Sequence, residues 1–391
     1  MDRPLRRDLD AGAATGPAEG AAPRLRLAGG TATRLWGLTT EARALRMAAA
    51  EGFDPDAPGQ GGSAIVVNLG FVFDPVWLGW IRGRPGTLVT CDGAPVLAHA
   101  PDRAAADRAA AAMTAGGPVP EGVSVVPHDA VRIANPRLRK TGPAYMLPLT
   151  PATRRRAEEL SYAGAYKGVT DLLTKYLWAG LALQLVRLAA WARLPPNAVT
   201  LTGFLFCAAA GLLFAAGAYW LGVLCGFVFM VLDTVDGKLA RCTLTSSSLG
   251  HVLDHGVDLV HPPIWWWAWA RGLDAAPDGG LPFSGGPADL ALWVILGGYV
   301  AQRAIEGVFI AAFGMHIHVW RRADSVFRLV TARRNPNMVI LVLSLLAGRP
   351  DLGLIVLAAW TAASLLFHLV RLWQALWRRR LGEPVESWLT A

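Results

Sequence analysis

The sequence predicts an all-α integral membrane domain of six transmembrane helices with an additional interfacial amphipathic helix, preceded by a small α/β soluble domain. Three observations carry this prediction. The 391-residue chain has 53% hydrophobic residues and a mean hydropathy of +0.35, which is high for a soluble protein. Its long apolar runs begin after Pro196 and approach the roughly 20 residues that a helix needs to cross a bilayer. Before them, short β-like runs alternate with helical patterns.

Composition divides the chain into three parts. Residues 1–24 are rich in Ala, Gly, Pro and Arg, and we expect a disordered leader there. Residues 25–150 are interpreted as the soluble α/β domain with its connector, and residues 151–391 as the membrane domain. The connector is expected at 136–151, where basic side chains accompany prolines.

Strand and helix signals alternate within the soluble domain, which favours an α/β fold. Helical patterns cover 40–51 and 101–115, and β-like runs cover 63–69, 86–91 and 95–99.

The apolar segments of the membrane domain predict six spans. They cover 198–217, 219–240, 249–270, 290–313, 338–347 and 352–370. The third ends in Trp265–Trp267, an aromatic belt typical of the membrane interface. The fifth is short for a crossing helix, even when it is extended back to Asn335. Residues 171–192 mix Lys175, Gln184 and Arg187 with leucines, so we interpret them as a helix lying at the interface rather than as a further span.

Loop charges predict the orientation of the spans. Five arginines lie in the loop 314–335 and four in the segment 371–380, whereas the loop 271–289 has one arginine and three aspartates. Because positive loops stay in the cytoplasm, we expect a multi-pass protein of the inner (cytoplasmic) membrane with both termini in the cytoplasm. The net charge of +8 also suits anionic lipid or phosphorylated substrates.

An acidic motif spans the second and third apolar segments. Asp233-Thr-Val-Asp236-Gly237-Lys-Leu-Ala240-Arg241 is followed, after eight residues, by Gly250-x-x-x-Asp254-x-x-x-Asp258. Residues three or four apart share a helix face, so each helix presents its carboxylates together. Four negative charges gathered in apolar sequence need cations to balance them, and a hard divalent ion with oxygen ligands suits them.

This motif resembles the signature of the CDP-alcohol phosphotransferases, also called CDP-alcohol phosphatidyltransferases, which reads D-x-x-D-G-x-x-A-R followed by G-x-x-x-D-x-x-x-D. All eight fixed positions match, and the resemblance covers about residues 165–380. It implies an enzyme that transfers a phosphoalcohol group from a CDP-alcohol to an acceptor alcohol in phospholipid or polyol-phosphodiester synthesis, releasing CMP, with Mg²⁺ or Mn²⁺ as cofactor. The implied partners are the donor, an alcohol or phosphorylated-polyol acceptor, the lipid bilayer and a second copy in a homodimer. A nucleic-acid partner is not expected.

The resemblance also implies roles for single residues. Asp233, Asp236 and Asp254 would hold the metal, and Asp258 would act as general base and also touch a second ion. The residues that would contact the nucleotide are Asn197, Thr200, Gly237, Ala240, Arg241 and Gly250. Helix capping after proline is the alternative for the first two, and ordinary helix packing is the alternative for the glycines. Lys238 would contact phosphate or reach the lipid headgroups.

A basic segment follows the fourth span and is a candidate acceptor site. Its arginines are Arg321, Arg322, Arg328, Arg333 and Arg334. Guanidinium groups suit phosphate oxygens, while the alternative is ordinary positive charge of a cytoplasmic loop. In the fourth span, Arg303 and Glu306 are three residues apart and are expected to pair.

A glycine-containing loop begins the soluble domain. Leu27-Ala-Gly-Gly-Thr-Ala-Thr-Arg-Leu-Trp-Gly-Leu-Thr39 resembles the L-A-G-G-x-G-T-R-L-x-P-L-T loop of sugar-phosphate nucleotidyltransferases. It departs from that pattern at Ala32 and Gly37, and the lysine that follows the loop in such enzymes is missing. We interpret the domain as a shortened, catalytically inactive relative of these enzymes. A chance Gly-Gly turn is the alternative.

Two other classes of function compete with a phosphotransferase. A cation- or proton-coupled membrane transporter would also place carboxylates inside the membrane, but the sequence has no internal repeat and transport does not account for the D-G-x-x-A-R context. A noncatalytic scaffold derived from the enzyme is disfavoured by the four retained aspartates.

Overall fold

The structure is a computed structural model that describes residues 23–53, 62–116, 122–275 and 286–390. A small α/β region is followed by a mostly helical one, which confirms the predicted class at that level. The predicted disordered leader lies outside the described residues except at its end, because β1 begins at Arg24.

The soluble domain is built on a five-stranded mixed sheet with the order β1-β2-β5-β4-β6. Two further pairs, β3 with β9 and β7 with β8, form small antiparallel sheets. The strands are β1 Arg24–Ala28, β2 Ala64–Asn68, β3 Phe71–Phe73, β4 Thr87–Cys91, β5 Ala94–Ala100, β6 Ser124–Pro127, β7 Arg132–Asn135, β8 Lys140–Pro143 and β9 Met146–Pro148. Its helices are α1 Thr40–Ala50, α2 Val76–Arg82 and α3 Arg103–Ala115.

The predicted elements of this domain are present, and one interpretation was wrong. The three predicted strands correspond to β2, β4 and β5, and the two predicted helices to α1 and α3. The segment interpreted as a connector instead contains β8 and β9, and Phe73 of β3 pairs with Met146 of β9. Met146 is buried in the core of the soluble domain, so this segment belongs to that domain.

The soluble and helical domains are joined by α4 Arg154–Gly164, a π-helical turn at Leu173–Leu177 and α5 Ala179–Trp191. The single helix predicted over 171–192 is therefore interrupted. The interruption falls at Trp178, which is buried, packs edge-on against Phe227 and donates from Nε1 to Thr234 Oγ1 at 3.1 Å. Helix α5, with 13 residues, is too short to cross a bilayer.

The helical domain continues with α6 Pro196–Ala215, α7 Tyr219–Cys242, α8 Ser248–Ala275, α9 Pro287–Phe313, α10 Arg322–Phe327, α11 Arg334–Leu346 and α12 Pro350–Arg380. Within the described residues, four helices are long and apolar enough to cross a membrane, namely α6, α7, α9 and α12. They expose large apolar side chains such as Leu212, Leu221 and Leu366, as lipid-facing helices do. Helix α8 coincides with the third predicted span and α11, with 13 residues, with the fifth. The count of six spans stays a prediction.

Aromatic packing joins α6, α7 and α8. Trp265 and Trp269 of α8 contact Phe214 of α6, and Trp269 also lies 4.5 Å from Tyr219 of α7 between ring centroids. The interpretation of Trp265–Trp267 as an interfacial belt was wrong for its first two members, because Trp265 and Trp266 are buried in the core while Trp267 is exposed. These rings hold together the two helices that carry the acidic motif.

The soluble domain packs against the cytoplasmic end predicted for α7. Arg43 of α1 donates to the carbonyl of Cys242 at 2.8 Å, and Arg46 donates to that of Thr243 at 2.7 Å. The last carbonyls of a helix have no partner within the helix and favour nearby cations. Trp36, in the glycine-containing loop, is buried and donates to Ser161 of α4 at 2.8 Å.

Candidate active site

The two halves of the acidic motif meet at one side chain from a third helix. Arg334, the first residue of α11, donates from Nη2 to Asp233 Oδ2 at 2.6 Å and from Nη1 to Asp258 Oδ1 at 2.9 Å. Its guanidinium also lies 5.0 Å from the ring centroid of Phe229. The structure thus brings Asp233 of α7 and Asp258 of α8 to one place.

The paired carboxylates fit a divalent cation by their chemistry. Their oxygens converge on a single positive group, and carboxylate oxygens are the donors that Mg²⁺ and Mn²⁺ prefer. In this structure the cation between them is the guanidinium of Arg334.

Asp236 has a different local partner. It is buried, and its Oδ2 accepts a hydrogen bond from Thr200 Oγ1 at 2.6 Å. Thr200 Oγ1 also lies 3.2 Å from the Pro196 carbonyl oxygen one turn earlier, so α6 positions the hydroxyl that meets Asp236. The contact places the predicted residue Thr200 at the motif.

The fourth carboxylate of the motif belongs to Asp254. Asp254 lies in α8, but its side chain is outside the described part of the chain. Within the described residues, no three His, Cys, Asp or Glu side chains form a group that could hold a metal. The metal role of Asp233, Asp236, Asp254 and Asp258 therefore stays a prediction.

Two small residues of the motif lie where side chains crowd. A Cβ atom on Gly250 would lie 3.2 Å from Asn197 Oδ1, and one on Gly237 would lie 3.1 Å from Arg241 Nη2. Asn197 is inside α6 rather than at its N-cap, which is Pro195, so the capping alternative was wrong for Asn197. A larger side chain at either position would have to displace these polar groups.

The remaining motif residues face the linker between the domains. Arg241 donates from Nε to the Ala165 carbonyl at 2.8 Å. Lys238 is buried, with its ammonium 3.6 Å from the centroid of the Tyr166 ring, so it does not reach the headgroups. Ala240 is partly buried in the same last turns of α7. The nucleotide-binding role of these residues stays a prediction.

Two polar residues that the sequence did not single out hold Arg334 in place. Asn335 accepts from Arg334 Nε at 2.9 Å and donates from Nδ2 to Asp171 Oδ1 at 3.0 Å. Asp171 also accepts from the backbone of Thr174. The sequence carries no signal for this contact, because it joins residues 164 positions apart.

The five arginines predicted to bind the acceptor are divided among three places. Arg334 contacts the motif carboxylates. Arg321 and Arg322 are exposed and lie over the rings of Trp320 and Trp388. Arg328 and Arg333 enter a buried cluster around Glu306. The structure therefore does not gather the five side chains into one patch.

Glu306 is the centre of that buried cluster. Its Oε1 accepts from Arg303 Nη2 at 3.1 Å, from Arg333 Nη2, and lies 3.0 Å from His318 Nε2. The predicted Arg303–Glu306 pair is confirmed. His318 is buried, and burial lowers its pKa well below the ordinary value despite the hydrogen bond to Glu306. It is neutral at physiological pH and leaves the positive charge to the arginines.

The helical domain is a CDP-alcohol phosphatidyltransferase domain. Residues 193–386 match the sequence profile of that family. The matched segment contains the acidic motif, Arg334 and Glu306. Through this domain the chain belongs to the family.

Curated relatives match a shorter part of the same region. Cholinephosphotransferase 1 of Gallus gallus is 38% identical over 124 residues, covering 29% of this chain and 36% of the relative. Cholinephosphotransferase 1 of Homo sapiens is 34% identical over 122 residues, covering 28% and 29%. Choline/ethanolaminephosphotransferase 1 of Arabidopsis thaliana is 35% identical over 108 residues, covering 24% and 27%. The chain thus spans about a third of the length of the curated relatives that it matches.

Proposed function

We propose that this protein transfers a phosphoalcohol group from a CDP-alcohol to an acceptor alcohol at the cytoplasmic membrane face, releasing CMP. The observation that carries the proposal is the meeting of Asp233 and Asp258, from successive helices of the family domain, on one cationic group. The relatives are cholinephosphotransferases and a choline/ethanolaminephosphotransferase, and they support the same class of reaction. A homodimer in the inner membrane belongs to this proposal.

In the proposed mechanism, Asp233, Asp236, Asp254 and Asp258 would hold Mg²⁺ or Mn²⁺. When bound, the metal supplies charge neutralisation for the pyrophosphate. Thr200 orients Asp236 through its 2.6 Å hydrogen bond. Gly237, Ala240, Arg241, Gly250 and Asn197 line the proposed position of the nucleotide.

Asp258 is proposed to take the proton of the acceptor. The alcohol oxygen forms a bond to the β-phosphorus of the donor, and the bond from that phosphorus to the bridging oxygen breaks. CMP leaves with the bridging oxygen. The Asp258 side chain is 44% exposed, so an incoming alcohol can reach it. The arginines that enter the cluster, Arg328 and Arg333, are proposed to bind an anionic group of the acceptor.

The test is CMP release by the purified protein in detergent, with a panel of CDP-alcohols and acceptors and with or without Mg²⁺ or Mn²⁺. We expect metal-dependent release. Because a positioned general base contributes about 10²–10⁴-fold, Asp258→Asn should lower the rate by that order while CDP-alcohol still binds.

The matched control is Asp289→Asn, in the first turn of α9 and partly buried, which should leave the rate unchanged. Release without metal, or an unchanged rate in Asp258→Asn, would contradict the mechanism. Ion flux into liposomes without any CMP release would support the transporter instead.

A further inference from the structure

A cavity of about 400 Å³ lies at the C-terminal end of α12, and we call it the α12 cavity. Its volume falls within the roughly 300–1,000 Å³ of small-molecule sites. None of the described residues that line it belongs to the acidic motif. The lining includes three arginines, two tryptophans and a glutamate, which are Arg321, Arg371, Arg378, Trp373, Trp377 and Glu383.

The length of α12 puts the α12 cavity at the level of lipid headgroups. The helix has 31 residues, whereas about 20 residues cross the hydrocarbon core of a bilayer. Because its predicted span ends at residue 370, the last three turns or so extend beyond the hydrocarbon. Trp373 and Trp377 lie on these turns, where both are exposed with their ring centroids 6.1 Å apart. Exposed tryptophans at the end of a span are typical of the membrane interface.

One side of the α12 cavity is fixed by the buried side chain of Arg371. Its Nε and Nη2 donate to the two carboxylate oxygens of Asp324 at 2.5 and 2.8 Å, and its Nη1 donates to Gln374 Oε1. Its guanidinium also lies 4.2 Å from the centroid of the Trp320 ring. A guanidinium has five N–H groups, so these contacts fix its orientation and still leave donors for a ligand.

Positive charge exceeds negative charge around the α12 cavity. Arg378 pairs with Glu383 at 2.6 Å, and Arg371 pairs with Asp324. The third arginine, Arg321, is exposed and has no ion-pair partner among the described residues. One positive charge is therefore left over, which matches the single negative charge of a phosphodiester. Guanidinium groups also fit the geometry of phosphate oxygens.

We propose that the α12 cavity binds the headgroup of one anionic phospholipid, with the phosphodiester at Arg321 and the glycerol beside Trp373 and Trp377. The exposed tryptophans favour a lipid over a free phosphate ion, because a free ion has no apolar part for them to contact. Basic segments attract anionic lipids by charge in general, and the cavity adds a defined position for one molecule. This site lies outside the proposed reaction and does not depend on it.

Native mass spectrometry of the purified full-length protein, titrated with phosphatidylglycerol, measures the Kd of the retained lipid. Arg321→Gln should raise that Kd about fivefold, the usual contribution of one basic residue near a membrane surface. Arg380→Gln is the matched control, because Arg380 is exposed at the end of the same helix and does not line the cavity. It should bind as the wild type does. Equal losses in the two variants would show only a general attraction to basic residues and would overturn the proposal.

Glu383→Gln tests the same site with the opposite sign. Removing this carboxylate releases Arg378 from its ion pair and increases the surplus of positive charge. The Kd for phosphatidylglycerol should therefore fall about fivefold. A substitution that only disturbed the fold would not tighten binding, so unchanged or weaker binding in Glu383→Gln would contradict the proposal.

Two other probes identify the chemistry of the ligand. Phosphatidylcholine has the same phosphodiester with a cationic group beside it, so the wild type should retain it less well than phosphatidylglycerol. Equal retention of the two lipids would refute a site for an anionic lipid. Displacement of phosphatidylglycerol by an equal concentration of inorganic phosphate would show that the arginines hold a free anion, which would also overturn the proposal. None of these measurements reads CMP release, so their failure would leave the proposed function intact.

Discussion

Arg334 joins two carboxylates that the sequence places on different helices. Asp233 and Asp258 would repel each other if they met alone in an apolar surrounding, and the guanidinium removes that repulsion. Its position is set by Asn335, which is itself held by Asp171. A positive charge held between these carboxylates would weaken the binding of a divalent cation to them.

Replacement of Arg334 by glutamine is therefore expected to tighten metal binding. Removing a positive charge beside two carboxylates changes their interaction with a cation by an amount equivalent to one or more pKa units, so affinity for Mn²⁺ should rise about tenfold. Titration of Mn²⁺ followed by electron paramagnetic resonance measures this directly, without reference to turnover.

Arg349→Gln is the control for this substitution, because Arg349 also forms an arginine–aspartate ion pair, with Asp351 at the start of α12, apart from the motif. It should leave Mn²⁺ affinity unchanged. If Arg334→Gln bound Mn²⁺ no better than the wild type, Arg334 would not be competing with metal for these carboxylates.

At the level of elements, the contact between α9 and α12 depends on a small residue. A Cβ on Gly298 would lie 2.6 Å from Thr361 Cγ2, whereas a Cβ on the neighbouring Gly297 would meet nothing within 4 Å. Thr361 is buried, and its hydroxyl donates to the Leu357 carbonyl, so its methyl group cannot easily turn aside. Small residues allow such close packing between membrane helices.

These neighbouring glycines provide a matched pair of substitutions. Gly298→Ala should destabilise the protein by about 1–3 kcal/mol, the usual cost of overpacking. Gly297→Ala should be neutral or stabilise by up to about 1 kcal/mol, because alanine favours helix. Thermal unfolding in detergent compares the two. Similar midpoints for both variants would show that Thr361 gives way and that this contact is not close-packed.

The sequence predicts the positions of the helices better than the points at which a helix is interrupted. Apolar runs locate α6, α7, α9 and α12 because each run is continuous along the chain. The break at Trp178 depends on Phe227 and Thr234, which approach only after the helices pack. Likewise, the motif spacing anticipates that Asp233 and Asp258 meet, but not that Arg334 lies between them. Long-range contacts of single side chains leave no periodic pattern in sequence.

For the whole molecule, the soluble domain contacts the helical domain at several points. Its helix α1 contacts the end of α7 through Arg43 and Arg46, one or two turns from Asp236. Its β7–β8 turn meets the segment after α4, where the N–H of Gly168 donates to the Leu138 carbonyl at 2.8 Å. The predicted nucleotidyltransferase-like loop packs Trp36 against α4, so this domain serves as a support for the membrane domain in the present structure.

The contact between the soluble domain and α7 can be tested at Arg43 and Arg46. Both side chains donate a hydrogen bond to a backbone carbonyl at the end of α7, but they differ in exposure. Arg43 is 2% exposed, while Arg46 is exposed. A hydrogen bond from a charged group is worth about 1.5–3 kcal/mol when buried, and exposed charged contacts are worth about 0–1 kcal/mol. Arg43→Gln should therefore lower the stability of the docked state by about 2 kcal/mol, and Arg46→Gln by much less.

Hydrogen exchange at the last turn of α7, followed by mass spectrometry, reports this docking locally. In Arg43→Gln the amides near Cys242 should exchange faster by roughly an order of magnitude or more, because 1.4 kcal/mol corresponds to a factor of ten, while exchange in the strands of the soluble domain stays unchanged. Equal exchange in both variants would mean that the rest of the interface, including the Trp36–Ser161 bond, holds the domains together without Arg43. Faster exchange throughout the soluble domain would instead mean that Arg43 stabilises that domain rather than its attachment to α7.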